Sequence, residues 1–282
     1  MKLVSYAAGG KHLYGAVVDG GIVDLSSRIG AKYADLKALI AGNGLAEAAR
    51  AAAGQKADHR LDAITFDPVI PNPEKIICVG LNYKAHREET GRAPTDNPAL
   101  FIRFADTQTG HNQPIVLPRN SHMLDYEGEL AVIIGKGGRH VAARDALSIV
   151  AGYSIYNDGS IRDFQNHTPQ WAPGKNFPKT GGFGPWMVTA DELGDPTQLT
   201  LETRLNGNTM QKTTTDLMIF DIPTTIEYIT KFTELRPGDV ISTGTPGGVG
   251  FKRNPPVFMK AGDTCEIEIS RIGKLVNRIV AE

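Results

Sequence analysis

The segment DYEGELAVIIG, residues 125–135, constrains this chain more than any other. Its apolar run, closed by Gly135, predicts a buried strand. Two glutamates, Glu127 and Glu129, stand at the mouth of that strand. Side chains alternate across a strand, so both carboxylates share one face. Like charges on one face repel unless a cation or protons lie between them. Only oxygen donors are on offer, which suits Mg²⁺, Mn²⁺ or Ca²⁺ better than zinc. The competing reading is a solvated strand end whose glutamates touch nothing.

The rest of the chain narrows the function classes. Its 282 residues suffice for one large domain, or one large and one small. A formal net charge of −1, with scattered basic residues, gives no electrostatic case for nucleic acid or an acidic membrane. No apolar run approaches the roughly 20 residues that span a bilayer. The N-terminus has too short an apolar stretch for a secretory signal. Cys78 and Cys265 each lie inside an apolar strand-like run and read as reduced packing residues. The expectation is a cytoplasmic protein with no nucleic-acid or membrane partner.

Residues 1–25 read as a small meander, with short β-prone runs split by Gly-Gly pairs. Two weak helices follow, at YADLKALIA and the alanine-rich GLAEAARAAA. Prolines 68, 71 and 73 mark a joint. They predict a small N-terminal α+β domain over residues 1–70 and a larger domain over 71–282. The larger part is dominated by strands: KIICVG, ALFIRF, QPIVLP, GELAVIIG, VAGYSIYND, PWMVTA, LTLETRLNG, DVISTG and DTCEIEIS. One helix is expected near residues 223–232, and a short one at NYKAHREETG, capped by Asn82 and closed by Gly91. This pattern is mainly β with some α. It predicts a β-sandwich or barrel-like roll and not a doubly wound parallel sheet.

Several groups could do chemistry. His86 and Glu89 are three apart on the short helix, so they share a face and can hydrogen-bond. A carboxylate that orients an imidazole makes a general base. An exposed His-Glu pair on a polar helix is the plainer alternative. Asp158, after a strand, is a candidate third carboxylate, and turn chemistry at Asn-Asp-Gly competes with that reading. Lys175 lies in a Gly- and Pro-dense loop and could neutralise developing negative charge, or be a surface lysine. Arg162 and Gln165 stand on the segment after Asp158 and face either the site or solvent. The turn TGTPGGVG lacks the Gly-Lys-Ser/Thr ending of a phosphate loop. Its backbone N–H groups could still hold a carboxylate.

The order of these blocks is more specific than any one of them. From Lys75 to Val280 the chain resembles the fumarylacetoacetate hydrolase family. The matching blocks are KIICVGLNYKAH, DYEGELAVIIG, GYSIYNDGSIRDFQ, WAPGKNFPKTGGFGP, TRLNGNTMQ and LRPGDVISTGTPGGVG. The resemblance implies a mixed β-sandwich roll behind a variable N-terminal domain. It implies Mg²⁺ or Mn²⁺ on Glu127, Glu129 and Asp158, with Ca²⁺ able to substitute in crystals. It places His86 and Glu89 on a water-activating dyad, in a segment that often orders as a lid. Lys175 falls among the catalytic groups, and Gln165, Thr245 and Arg162 among those that bind substrate. A homodimer is implied as well.

The implied reaction is hydrolytic cleavage of a C–C bond in an acylpyruvate-type 2,4-dioxo acid, giving pyruvate and a carboxylic acid. Decarboxylation of a 2-oxo acid such as oxaloacetate, or an isomerase or hydratase reaction in aromatic or sugar-acid breakdown, would use the same site. A metal-dependent binder without turnover would have no use for the dyad. Two departures from the family pattern bear on substrate choice: Asn176 and Pro178 after Lys175, and Arg103 where relatives often carry lysine.

Overall fold

The computed structural model describes residues 1–282. Its core is a mixed 12-stranded sheet. The centre of that sheet is strand Gly128–Ile134, flanked by the antiparallel strands Val150–Asp158 and Val240–Ser242. Strand Ile76–Gly80 runs parallel to Val240–Ser242, and Ala99–Arg103 closes that edge. A second sheet of five strands orders as Asn208–Thr214, Thr200–Leu205, Thr264–Ile269, Gly273–Ala281 and Ile115–Leu117.

Every residue of Gly128–Ile134 is buried, and its parity explains the continuous apolar run. Leu130, Val132 and Ile134 enter one cluster with Leu201, Ile267, Ile269 and Leu275 of the second sheet. That cluster is the sandwich core. Ala131 and Ile133 enter another cluster on the opposite face, with Leu3, Tyr14, Cys78 and Tyr156. A strand covered on both faces has no polar side to show. Glu127 and Glu129 share the parity of Ala131 and Ile133, so both point to the second face.

The expected N-terminal elements form. Strands Lys2–Ala8, Lys11–Val18 and Gly21–Asp24 are followed by helices Leu36–Ala41 and Leu45–Ala52. Asp35 caps the first of these helices through Ala38 N–H. Strand Lys2–Ala8 also pairs antiparallel with Gly181–Thr189, so residues 1–70 extend the large sheet and share its second apolar cluster. Strands Asn208–Thr214 and Gly273–Ala281 were not anticipated. Asn208–Thr214 is a polar edge strand with one buried residue, Gln211.

Helix Ile222–Phe232 starts at Asp221, whose carboxylate accepts from Thr224 N–H, with Pro223 in the first turn. The short helix is Lys84–Thr90, and Gly91 ends it at φ +68°. Its expected cap is corrected: Tyr83 holds the cap position, with no side-chain bond. Asn82 instead donates to the carbonyls of Phe220 and Thr243 and accepts from Phe220 N–H. It ties two distant loops together rather than starting a helix.

Candidate active site

Sheet register builds the site. Asn157 lies opposite Gly128, and Asp158 N–H donates to Glu127 C=O at 2.9 Å. The antiparallel pair therefore sets Asp158 beside Glu127, on the face that already carries Glu129. The carboxylates of Glu127, Glu129 and Asp158 offer ligand atoms within 4.8 Å of one another, all buried. A solvated strand end and a plain Asn-Asp-Gly turn are thereby excluded.

Cations surround these acids. Lys175 Nζ lies 2.6 Å from both Glu127 Oε2 and Asp158 Oδ2. Arg103 Nη1 reaches Asp158 Oδ1 at 2.6 Å. Arg162 reaches Glu127 Oε1 at 2.7 Å and Asp125 Oδ2 at 2.8 Å. Burial pushes the Glu127 carboxyl up, but Arg162, Lys175 and His86 together outweigh it and hold the group well below the usual range. Burial likewise pulls the Lys175 ammonium down, while Asp158 and Glu127 raise it more. Both groups are thus held charged.

Glu129 differs. It has no cation partner, only Ser242 Oγ at 2.6 Å and Gly244 N–H at 2.8 Å. Burial, then Asp158 and Glu127, pushes its carboxyl well above the usual range. Within the network Asp125, Glu127, Glu129 and Asp158 face Arg103, Arg162 and Lys175. The fully ionised set carries one more negative than positive charge, and the excess rests on Glu129. Three converging carboxylates with one unneutralised charge fit a hard divalent cation such as Mg²⁺ or Mn²⁺. Glycine is required at 244, where φ is +103° and a Cβ would lie 2.6 Å from Asn82 Cβ.

A cavity of about 100 Å³ opens over the triad. Glu127, Glu129, Lys175, Arg162, Gln165 and Thr245 line it, as does His86 from the facing helix. Gly80 also lines it, at a position where a Cβ would meet Trp171 Cζ3 at 2.3 Å. His86 is only 5% exposed, so the alternative of an exposed His-Glu pair falls. Its Nδ1 lies 2.7 Å from Glu89 Oε1. At that distance the imidazole can donate its Nδ1–H to the Glu89 carboxylate, which orients the ring. Glu89 Oε2 accepts from Gly248 N–H at 2.9 Å, docking the helix onto the glycine-rich turn. Arg162 Nη1 donates to Gln165 Oε1 at 2.8 Å, so these two face the site rather than solvent. Thr245 Oγ1 donates to Gly128 C=O and accepts from Gln211 Nε2.

Residues outside the candidate set also support the site. Asp125 accepts from Arg162 and from the N–H groups of Gly250 and Phe251, fixing the arginine to the turn. Arg103 binds Asp158, Gly159 C=O and Thr180 Oγ1. Asn176 accepts from Phe104 N–H and donates to Ile102 C=O, joining the lysine loop to the strand of Arg103. The two departures from the family pattern therefore brace one region behind the triad. They were expected to bear on substrate choice. Neither lines the cavity, and their contacts bear on the position of Asp158 and Lys175. A buried arginine in an apolar strand context is the signal that could have pointed to an acidic partner.

Residues 75–280 match the family model for the fumarylacetoacetate hydrolase C-terminal domain. The chain belongs to the fumarylacetoacetate hydrolase family. A rat protein, oxaloacetate tautomerase Fahd2a, mitochondrial, is 38% identical over 93% of this chain and 85% of its own length. The human oxaloacetate tautomerase FAHD2A, mitochondrial, is 40% identical over 84% of this chain and 76% of its own length. Among solved structures, a putative HpcE protein from Mycobacterium smegmatis superposes with TM-score 0.91 at 34% identity, covering 100% of this chain and 99% of that one. Maleylpyruvate hydrolase from Sphingobium, in complex with manganese (II) ion and pyruvate, has TM-score 0.83 at 31% identity, covering 100% of this chain and 99% of that one. The mixed β-sandwich roll expected from sequence is the fold observed. The chain is thus a member of an enzyme family whose relatives include tautomerases, hydrolases and isomerases. The mitochondrial placement belongs to the mammalian relatives; in this chain no helix is long and apolar enough to cross a membrane.

Proposed function

We propose that this chain catalyses proton transfer on a small 2-oxo acid, interconverting its keto and enol forms, with an oxaloacetate-like acid as substrate. The observation that carries this reading is the placement of His86: its ring lines the cavity over the carboxylate triad, with Nδ1 2.7 Å from Glu89 Oε1. The similarity to the mammalian oxaloacetate tautomerases, at 38% and 40% identity, supports the same choice.

Glu127, Glu129 and Asp158 would hold Mg²⁺ or Mn²⁺. Once bound, that ion supplies Lewis-acid stabilisation of negative charge on the 2-oxo oxygen. His86 takes the proton from the carbon next to the 2-oxo group and returns it to the enol carbon in the reverse direction. Glu89 keeps the imidazole in the tautomer that can accept. Lys175 offsets charge developing on the enolate oxygen while remaining paired to Glu127 and Asp158. Gln165, Arg162 and Thr245 orient the carboxylate end.

C–C hydrolysis of an acylpyruvate, expected from sequence, is the second reading. The water-activating geometry of His86 and Glu89 and the likeness to a maleylpyruvate hydrolase favour it. There His86 would deprotonate water as its oxygen attacks the distal carbonyl. The C–C bond then breaks, and its electron pair leaves on the pyruvate enolate, which takes up a proton.

One panel separates the readings. Purified protein with Mg²⁺, with and without chelator, is given oxaloacetate enol and several acylpyruvates. Metal-dependent decay of enol absorbance without pyruvate or CO₂ supports tautomerisation. Pyruvate and a carboxylic acid from acylpyruvates replaces it with hydrolysis, and CO₂ from oxaloacetate replaces it with decarboxylation.

A homodimer is also proposed. Ile102, Phe104 and Phe232 are 56%, 60% and 58% exposed beside the sheet-edge strand Ala99–Arg103, a surface unusual for a lone chain. Light scattering at twice the chain mass supports this; a monomer mass refutes it. Both cysteines are free and buried, which supports a reducing compartment such as the cytoplasm.

A further inference from the structure

Four cationic side chains line the cavity: Lys175, Arg162, Arg92 and Lys252. The first two are buried and already paired to the carboxylates of the triad network. The other two are not committed. Arg92 lies just after Gly91, past the end of the His86 helix, and is exposed. Lys252 lies in the short 3₁₀ turn Gly250–Lys252 at the end of the glycine-rich segment, and is exposed. Neither makes an ion pair or a side-chain hydrogen bond; Lys252 Nζ rests 5.0 Å from the centroid of the Phe251 ring. Arg162 stacks on that same ring at 4.3 Å. Phe251 thus joins the buried, acid-paired end of the site to its cationic rim. The next arginine, Arg253, shows the contrast: it is committed to Tyr126 Oη and the Gly248 carbonyl.

We propose that Arg92 and Lys252 bind the distal carboxylate of the substrate, making the site selective for 2-oxo dicarboxylic acids over 2-oxo monocarboxylic acids of equal length. The inference rests on the reading that the 2-oxo acid end sits over the triad. The deep cations are fastened at the triad end by Asp125, Glu127 and Asp158, where they meet the 2-oxo acid end of the substrate. A second carboxylate entering last would meet unpaired positive charge from two separate elements, the lid segment and the glycine-rich turn. Binding it would draw those elements together over the cavity. Arg92 and Lys252 are specificity-determining residues in this account, since the proton transfer takes place at the other end of the molecule.

The test uses full-length protein loaded with Mg²⁺ and two non-cleaved probes of the same length, 2-oxoglutarate and 2-oxopentanoate, with oxalate as a probe of the anchored end alone. Calorimetry measures Kd for each. Exposed ion pairs contribute about 2- to 5-fold in affinity apiece, so the wild type should prefer the diacid by about tenfold. Arg92→Gln and Lys252→Gln should each lower that preference by about 2- to 5-fold. The double variant should abolish it, and Arg92→Lys with Lys252→Arg should restore most of it. High salt should erode the preference as well. Equal affinity of the wild type for both acids, with oxalate bound, overturns the subsite and leaves the anchored-end reading standing. Parallel loss of diacid and monoacid binding in the double variant also overturns it, because selectivity would be unchanged. Failure of oxalate and both acids to bind overturns the anchored-end reading, and the subsite with it.

Discussion

The two walls of the cavity are built differently. The floor is a buried charge network: Glu127, Glu129 and Asp158 come from two adjacent strands, Arg103 from the sheet-edge strand and Arg162 from the short helix Arg162–Gln165. Sheet register fixes its geometry, and each acid except Glu129 is held by a cation. The roof is one seven-residue helix, Lys84–Thr90, of which His86 alone is buried. It is fastened to the glycine-rich turn by Glu89, and Asn82 just before it binds the carbonyls of Phe220 and Thr243. The floor brings together the carboxylates that suit a divalent cation, and the roof brings the imidazole. A site of this kind separates binding of the ion from proton transfer, and the two functions should separate under mutation.

The largest effect falls on the floor. Glu127→Ala should abolish measurable Mg²⁺ or Mn²⁺ binding in calorimetry; full occupancy would remove Glu127 from the ligand set. On the roof, His86→Ala should lower turnover by about 10²–10⁴-fold and leave metal affinity unchanged. A variant that lost both together would show that the walls are not independent. Behind the floor, Arg103→Ala strands the buried Asp158 carboxylate with one cation partner fewer. Loss of one partner from a buried pair costs about 3–5 kcal/mol, which urea melts would read. A cost within error would mean that Lys175 alone suffices to hold Asp158.

A smaller effect lies outside both walls. Burial, and then Lys274, pushes the His111 imidazole down to about 4. Its Nδ1 accepts from Val276 N–H at 3.1 Å, which requires the neutral ring. An unfolded histidine takes up its proton near pH 6.5, so the unfolded state binds more protons between pH 6.5 and 4. Stability from this group is complete above that window and falls as the pH drops through it, by on the order of 2–3 kcal/mol. His111→Gln should flatten that slope in melts taken across the window. An unchanged slope would assign the acid sensitivity to the floor carboxylates instead.

The floor was more legible in sequence than its scaffold. Alternation along Gly128–Ile134 put Glu127 and Glu129 on one face without any knowledge of neighbours. Asp158 joined them through order of blocks and family resemblance, because strand register is a long-range property that no local pattern carries. Asn82 misled for the same reason: its local context reads as a helix cap, yet its partners lie 138 and 161 residues away. Asp125 was seen only as the first residue of the strand block, since its partners Arg162, Gly250 and Phe251 come from two other segments. The small N-terminal elements were visible as local patterns. Their continuity with the large sheet was not, because it depends on the pairing of Leu3 with Met187.

On the proposed function, His86 moves a proton at the carbon next to the 2-oxo group while Glu127, Glu129 and Asp158 hold the metal. The most direct measurement is Mg²⁺-dependent exchange of the methylene hydrogens of oxaloacetate for deuterium, followed by proton NMR at early times. The account predicts exchange accelerated by the protein, abolished by chelator and by Glu127→Ala, and reduced about 10²–10⁴-fold by His86→Ala. Exchange at the uncatalysed rate, or acceleration that survives both the chelator and His86→Ala, would contradict it.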